Sequence, residues 1–97
     1  MTHNVFFWLK ENTMNNKFET EAKKLSEIDI VKSGSLRKLA GTPERPVTDK
    51  TFTYHLCLEF SSIENHNAYQ SHETHHHFIN ECKEMWEKVV VYDSEII

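Results

Sequence analysis

The chain predicts an α+β domain in which one four-stranded antiparallel sheet carries its helices on a single face. Three observations lead there. Segments of β-type composition with two-residue alternation stand at both ends and in the middle of the chain, and helical three-to-four periodicity follows the first and the third of them. The length of 97 residues allows one hydrophobic core, so residues 1–97 are expected to form a single domain.

His3 to Lys10 (HNVFFWLK) reads as the first strand, rich in β-branched and aromatic residues. His3, Val5, Phe7 and Leu9 share one face, and Asn4, Phe6, Trp8 and Lys10 the other, so both faces carry large apolar groups. Thr13 is the expected N-cap of an amphipathic helix of about three to four turns, whose apolar stripe is Met14, Phe18, Ala22 and Leu25 and which ends before Ile28. Ile30 to Ala40 is a weaker strand interrupted by Gly34, and Gly41 to Lys50 (GTPERPVTDK), which holds both prolines, is a surface loop.

Thr51 to Phe60 (TFTYHLCLEF) alternates, with Phe52, Tyr54, Leu56, Leu58 and Phe60 on one face and Thr53, His55, Cys57 and Glu59 on the other. Ser61 or Ser62 caps a short helix to about Gln70 that turns Ile63, His66 and Tyr69 or Gln70 toward the core. After a break at Ser71 to Thr74, the residues His75, Phe78, Ile79, Cys82, Met85, Trp86 and Val89 recur at helical spacing as an inward stripe. Lys88 to Asp93 (KVVVYD) is the last strand. The order β-α-β-β-(α-α)-β is a ferredoxin-like split βαβ arrangement.

Helices cover one face of such a sheet, yet Phe6, Trp8, His55 and Cys57 point from the other. A large side chain left wet forgoes roughly 1.5 to 3 kcal/mol. A second copy of the chain is therefore the expected cover, giving a homodimer through the sheet faces, a dimeric α/β barrel.

Composition excludes several classes. An apolar fraction of 38% with 11% aromatic residues is too high for a disordered chain. The longest apolar runs, Val5 to Leu9 and Val89 to Tyr92, are far shorter than the ~20 residues that span a bilayer, so no membrane association and a cytoplasmic location are expected. Cys57 and Cys82 lack C-x-x-C spacing and are expected to be reduced. A net charge of -4 with scattered basic residues argues against nucleic acid, and the open sheet face offers Thr53, His55, Cys57 and Glu59 where an RNA-recognition sheet would place stacking aromatics. No glycine-rich phosphate loop or G-x-S-x-G motif is present.

The outlying count is seven histidines, four of them between residues 72 and 77. Helical periodicity turns His75 inward among Phe78, Ile79 and Cys82, while His76 and His77 rotate toward solvent. An inward imidazole near its ordinary value of ~6.5 accepts a proton at neutral pH, and a nearby phenol can donate to a developing enolate or oxyanion. Tyr69, just before the break, is the candidate donor. His3 and Tyr54 lie on apolar strand faces and are expected to converge with them on one small cavity, whose lining also takes in Phe7, His72 and Phe78. The alternative is that these are polar residues satisfied within an ordinary core. His72 has helical spacing to His75 and His76, but neighbouring helical side chains diverge by ~100° per residue. Neither a metal site nor a cofactor is expected.

The opening HNVFFWLK, the passage TFTYHLCLEFSSIENHNAY, the segment SHETHHHF and the closing MWEKVVVYD together resemble the stress-responsive A/B barrel (Dabb) domain family over nearly the whole chain. The most telling parts are His3 at the first strand, the run Tyr69-x-x-His72-x-x-His75-x-x-Phe78 and the aromatic-acidic ending VVVYD. The resemblance implies a dimeric barrel of ferredoxin-like subunits. In plant polyketide cyclases of this pattern the second histidine of the run is a base and the tyrosine assists, roles that would fall on His75 and Tyr69 with His3 lining the pocket. The family pattern has proline where this chain has Glu73, and the cyclases have histidine where it has Tyr54. Two functional readings follow: a pocket for a small apolar or aromatic molecule with proton-transfer or cyclase-type chemistry, or a non-catalytic, stress-associated ligand-binding or assembly protein.

Overall fold

The computed structural model describes residues 1–97. The strands are β1 (Thr2–Leu9), β2 (Ser33–Arg37), β3 (Tyr54–Glu59) and β4 (Trp86–Ser94), and the helices are α1 (Asn15–Lys23), α2 (Ile63–Gln70) and α3 (Glu73–Cys82). Single 3-10 turns at Lys24–Glu27 and Lys83–Met85 extend α1 and α3. The sheet order is β2-β3-β1-β4, and every neighbouring pair is antiparallel, as in a ferredoxin-like α+β fold. All helices lie on one face.

Alternation along β1 holds as the sequence predicts, because His3, Val5 and Phe7 are buried beneath the helices. Tyr54, Leu56 and Leu58 of β3 join them, and Phe18, Ala22 and Leu25 close the core from above. The centre is aromatic. Phe18 stacks on Tyr54 with ring centroids 4.9 Å apart and meets Phe7 edge-on at 5.0 Å, geometries that add to simple burial.

Several boundaries differ from the sequence reading, each for a local reason. Met14, and not Thr13, stands at the N-cap of α1 with no side-chain capping bond, and its own side chain is largely exposed, so it does not belong to the core stripe. Asn12 adopts a left-handed φ of 63°, which Asn tolerates better than most residues, and turns the chain from β1 into this helix. Strand β2 is shorter than Ile30 to Ala40: Ile28 and Val31 are buried in the bend that precedes it. Strand β3 starts only at Tyr54, which releases Phe52 from its alternation. The Phe52 ring lies instead against Phe6 on the opposite sheet face, at 5.0 Å. Ser62 caps α2 by accepting from the Asn65 amide at 3.1 Å, but Ile63 in the first turn points outward. The helical stripe from His75 ends at Cys82. From Trp86 the chain is already strand, so Val89 reaches the inner sheet face by two-residue alternation rather than helical periodicity.

Gly34 is the one glycine that the packing requires. A Cβ there would stand 2.5 Å from Leu58 Cδ2 and 2.8 Å from Ser26 Cβ, so its missing side chain lets the turn after α1 lie directly on β2. The helices cover β2, β3 and β1 and leave the inner face of β4 partly open, where Val89 and Val91 stay exposed. That gap opens onto the cavity.

Candidate functional site

Between β1, β4 and the helices α2 and α3 lies a partly enclosed cavity of about 180 Å³, with 10 hydrophobic residues among the 13 that line it. His3, Phe7, Tyr69, His75 and Phe78 all line it, as the sequence reading expects. Gln70, Trp86, Val89 and Val91 complete the wall beside them. The sequence reading turns Trp86 and Val89 inward, but on a helix; Val91 escapes it, since its place depends on which strand pairs with β1.

His75 sits in the first turn of α3, half-buried, with its Nδ1 buried and without a hydrogen-bond partner in the chain. Burial, helped by the neighbouring His76 and by His3, holds its imidazole below the usual histidine range, against an opposing pull from the Gln70 backbone. The ring is therefore neutral at pH 7 and keeps a lone pair. Tyr69, 1% exposed, ends α2 with its ring 4.9 Å from that of His75. Burial alone pushes its phenol well above the ordinary tyrosine range, so it stays a proton donor. The break between α2 and α3 creates this pairing by bringing two helix ends, six residues apart, to one cavity wall.

His3 is buried at the start of β1, its Nδ1 2.5 Å from Asp93 Oδ1. The two residues face each other across the antiparallel β1–β4 pair. Desolvation lowers the His3 value more than Asp93 raises it, leaving a neutral ring that donates Nδ1–H to the carboxylate.

Two expected pocket residues lie elsewhere. Tyr54 is buried, but its hydroxyl donates to Glu19 Oε2 of α1 at 2.5 Å, which turns it away from the cavity, and burial pushes its phenol up to about 12. His72 is the N-cap of α3: its Nδ1 accepts from the Thr74 amide at 3.0 Å, so the ring is held in a shallow surface depression with Lys24, Glu27 and Asp29. An imidazole engaged at a helix end cannot also face inward.

Phe6, Trp8, His55 and Cys57 occupy the sheet face away from the helices, and all four are half-buried by their neighbours. Phe6 stacks on His55 at 4.2 Å, His55 Nε2 lies 2.8 Å from Asn4 Oδ1, and the Lys88 ammonium sits over the Trp8 ring at 4.5 Å. Cys82, by contrast, is fully buried beneath α3, and burial raises its thiol to about 11, which leaves it inert.

The family model for the stress responsive A/B barrel domain matches residues 1–96. The chain belongs to the Dabb family. Among solved structures it is similar to a Dabb protein with a ferredoxin-like fold from Mesorhizobium loti, at 24% identity and a TM-score of 0.80, over 99% of this chain and 95% of the other. It is also similar to a hydroxynitrile lyase from Passiflora edulis, at 19% identity and a TM-score of 0.78, covering 99% and 94%. A dimeric ferredoxin-like protein from Thermobifida fusca is a third relative in shape, at 16% identity and a TM-score of 0.75, covering 94% and 85%. No curated protein matches the chain. At these identities the neighbours fix the fold of this Dabb domain and leave its chemistry to be argued from the cavity. No helix of the chain is long and apolar enough to cross a membrane.

Proposed function

We propose that this Dabb domain binds a small apolar or aromatic carbonyl compound in its cavity and moves a proton on it. His75 takes the proton from the carbon beside the carbonyl, the electron pair passes to the carbonyl oxygen, and the Tyr69 hydroxyl donates a hydrogen bond to the resulting enolate. Return of the proton to the opposite face of that carbon gives an isomerase-like turnover, whereas attack of the enolate on a second carbonyl within the same molecule gives a cyclase-like one, the new alkoxide then taking the proton held on His75. The observation that carries this reading is the buried, unpartnered Nδ1 of His75 on the wall of an apolar cavity beside Tyr69. A buried polar atom without a partner costs about 1 to 3 kcal/mol, and a ligand or its water is the natural partner. Size limits the ligand: an apolar cavity of about 150 Å³ holds benzene, so about 180 Å³ accommodates a single substituted ring. A protein of this fold serves as a hydroxynitrile lyase in Passiflora edulis, which supports the use of such a cavity for chemistry.

The same reading makes the working unit a homodimer in the cytoplasm. The single chain exposes 6583 Å², about 800 Å² more than its mass predicts, and measures 36 × 35 × 17 Å, a slab with one sheet face uncovered. About 800 Å² per partner is the ordinary size of a stable interface. Dimeric neighbours of the same fold agree with this cover.

The test follows the α-protons of acetophenone in D2O by NMR, with and without the protein. Catalysed exchange that falls by about 10²- to 10⁴-fold in His75→Gln, while acetophenone still binds, is the expected result. Binding without any catalysed exchange would make the domain a ligand-holding protein. Exchange at full rate in His75→Gln would remove His75 from the mechanism.

A further inference from the structure

We propose that His3, His66 and Asp93 form a site for one divalent transition-metal ion of the zinc type, set in the wall between the internal cavity and the surface. This site is separate from the His75–Tyr69 pair and does not depend on the reaction assigned to it.

Three different elements supply the donors. His3 opens β1, His66 lies in the middle of α2, and Asp93 is near the end of β4, and one ligand atom from each lies within 4.8 Å of the others. The His3 and His66 rings are 4.7 Å apart between centroids and tilted by 58°, which leaves them unstacked. Two imidazoles and one carboxylate suit zinc, cobalt or nickel, whereas calcium and magnesium seek oxygen donors. Three protein ligands leave further positions for water or a ligand.

The surroundings prepare both histidines. Asn67 Oδ1 lies 3.1 Å from His66 Nδ1, and by accepting from Nδ1–H it leaves Nε2 with its lone pair outward. That lone pair faces the Gln70 side-chain amide at 3.3 Å, a long contact that an ion would replace. His3 is 3% exposed and fixed by the strand pairing, so its position is set without metal. Asp93 is the adjustable member, with 40% of its side chain exposed. Donors at about 2.1 Å from a tetrahedral ion stand about 3.4 Å apart, so the ion must displace the proton now shared between His3 and Asp93, and the carboxylate must swing out by about 1 Å. Access exists: a surface depression of about 260 Å³ is lined by His66 and Asp93 together with Met1 and Glu95. Sequence spacing could not reveal this site, because its other members lie 63 and 90 positions from His3 along the chain.

The experiment titrates the tag-free, full-length protein, stripped of metal, with Zn²⁺ by calorimetry and with Co²⁺ by visible absorption. One equivalent per chain is expected, with the intense visible bands of a low-coordinate Co²⁺. His66→Gln and Asp93→Asn, both changes outside the buried core, should each weaken binding by about 100-fold or more while circular dichroism stays unchanged, since even partners outside the coordination sphere are worth roughly 10- to 100-fold. The double variant His76→Gln, His77→Gln controls for exposed surface histidines and should bind as the parent does. No stoichiometric binding in the parent, undiminished binding in either His66→Gln or Asp93→Asn, or loss of binding in the His76, His77 control would each overturn the proposal.

Discussion

Tyr69 and His75 face each other across the two-residue break between α2 and α3, with ring centroids 4.9 Å apart and planes inclined at 66°. Burial moves their proton affinities in opposite directions, keeping the phenol protonated and the imidazole neutral. Two titratable groups separated in this way at one cavity wall make a donor and an acceptor that coexist across the neutral range.

Tyr69→Phe isolates the donor. Its phenol feels burial as the sole influence, so no partner within the chain loses a bond when the hydroxyl goes. Stability should therefore change by less than about 0.5 kcal/mol. The rate of catalysed α-proton exchange should fall by about 10²- to 10³-fold, the usual cost of losing one oxyanion donor, with ligand affinity nearly kept. A chemical melt and the exchange assay on one preparation separate the two effects.

The depressed value of His75 also sets a pH dependence. The imidazole titrates near 6.5 in the unfolded chain and lower in the folded one, so just below pH 6.5 the unfolded state binds more protons. Its contribution to stability is complete above pH 6.5 and is lost as pH falls through the folded value. Urea melts at pH 7.5 and 5.5 should show a smaller acid loss for His75→Gln than for the parent, the difference isolating this one ring from the carboxylates. Activity should hold its plateau to a pH below 6.5, where an unperturbed histidine would already be half-protonated.

Much of this architecture was legible because period-two and period-3.6 patterns report directly on which face is buried. His3, Phe7, Tyr69, His75 and Phe78 could be placed at one cavity that way. Tyr54 and His72 could not. A pattern gives the face on which a side chain starts and says nothing of where its polar tip ends: Glu19 draws the Tyr54 hydroxyl toward α1, and an unsatisfied helix amide holds the His72 ring at the surface. Asp93 and His66 were hidden for a different reason. Their proximity to His3 depends on strand and helix pairings between opposite ends of the chain, which no local window contains.

Gly34 illustrates the same gap between local pattern and tertiary need. Read locally, it interrupts a strand; in the fold, its bare Cα admits Leu58 and the Ser26 turn to within 2.5 and 2.8 Å of where a Cβ would sit. Gly34→Ala should therefore destabilise the protein by about 1 to 3 kcal/mol through overpacking, despite alanine's lower backbone entropy cost. Urea denaturation gives the number, and a stabilised variant would show that the turn can shift aside.

Phe6 tests the partner expected on the outer sheet face. Its ring stacks on His55 at 4.2 Å and lies 6.0 Å from Tyr92 and 5.0 Å from Phe52, so it is the centre of an aromatic patch on the side that no helix covers. A carboxylate introduced there would remain solvated in a single chain but would be desolvated between two sheets, where an unpaired charge is strongly disfavoured. Phe6→Asp should accordingly leave the circular dichroism spectrum intact while raising the dimer dissociation constant by at least ~30-fold, the equivalent of losing one central interface anchor. Sedimentation equilibrium across micromolar concentrations reads the change directly. If parent and variant both sediment as single chains, the extra exposed surface is a property of the monomer, and the cavity must work without a second subunit.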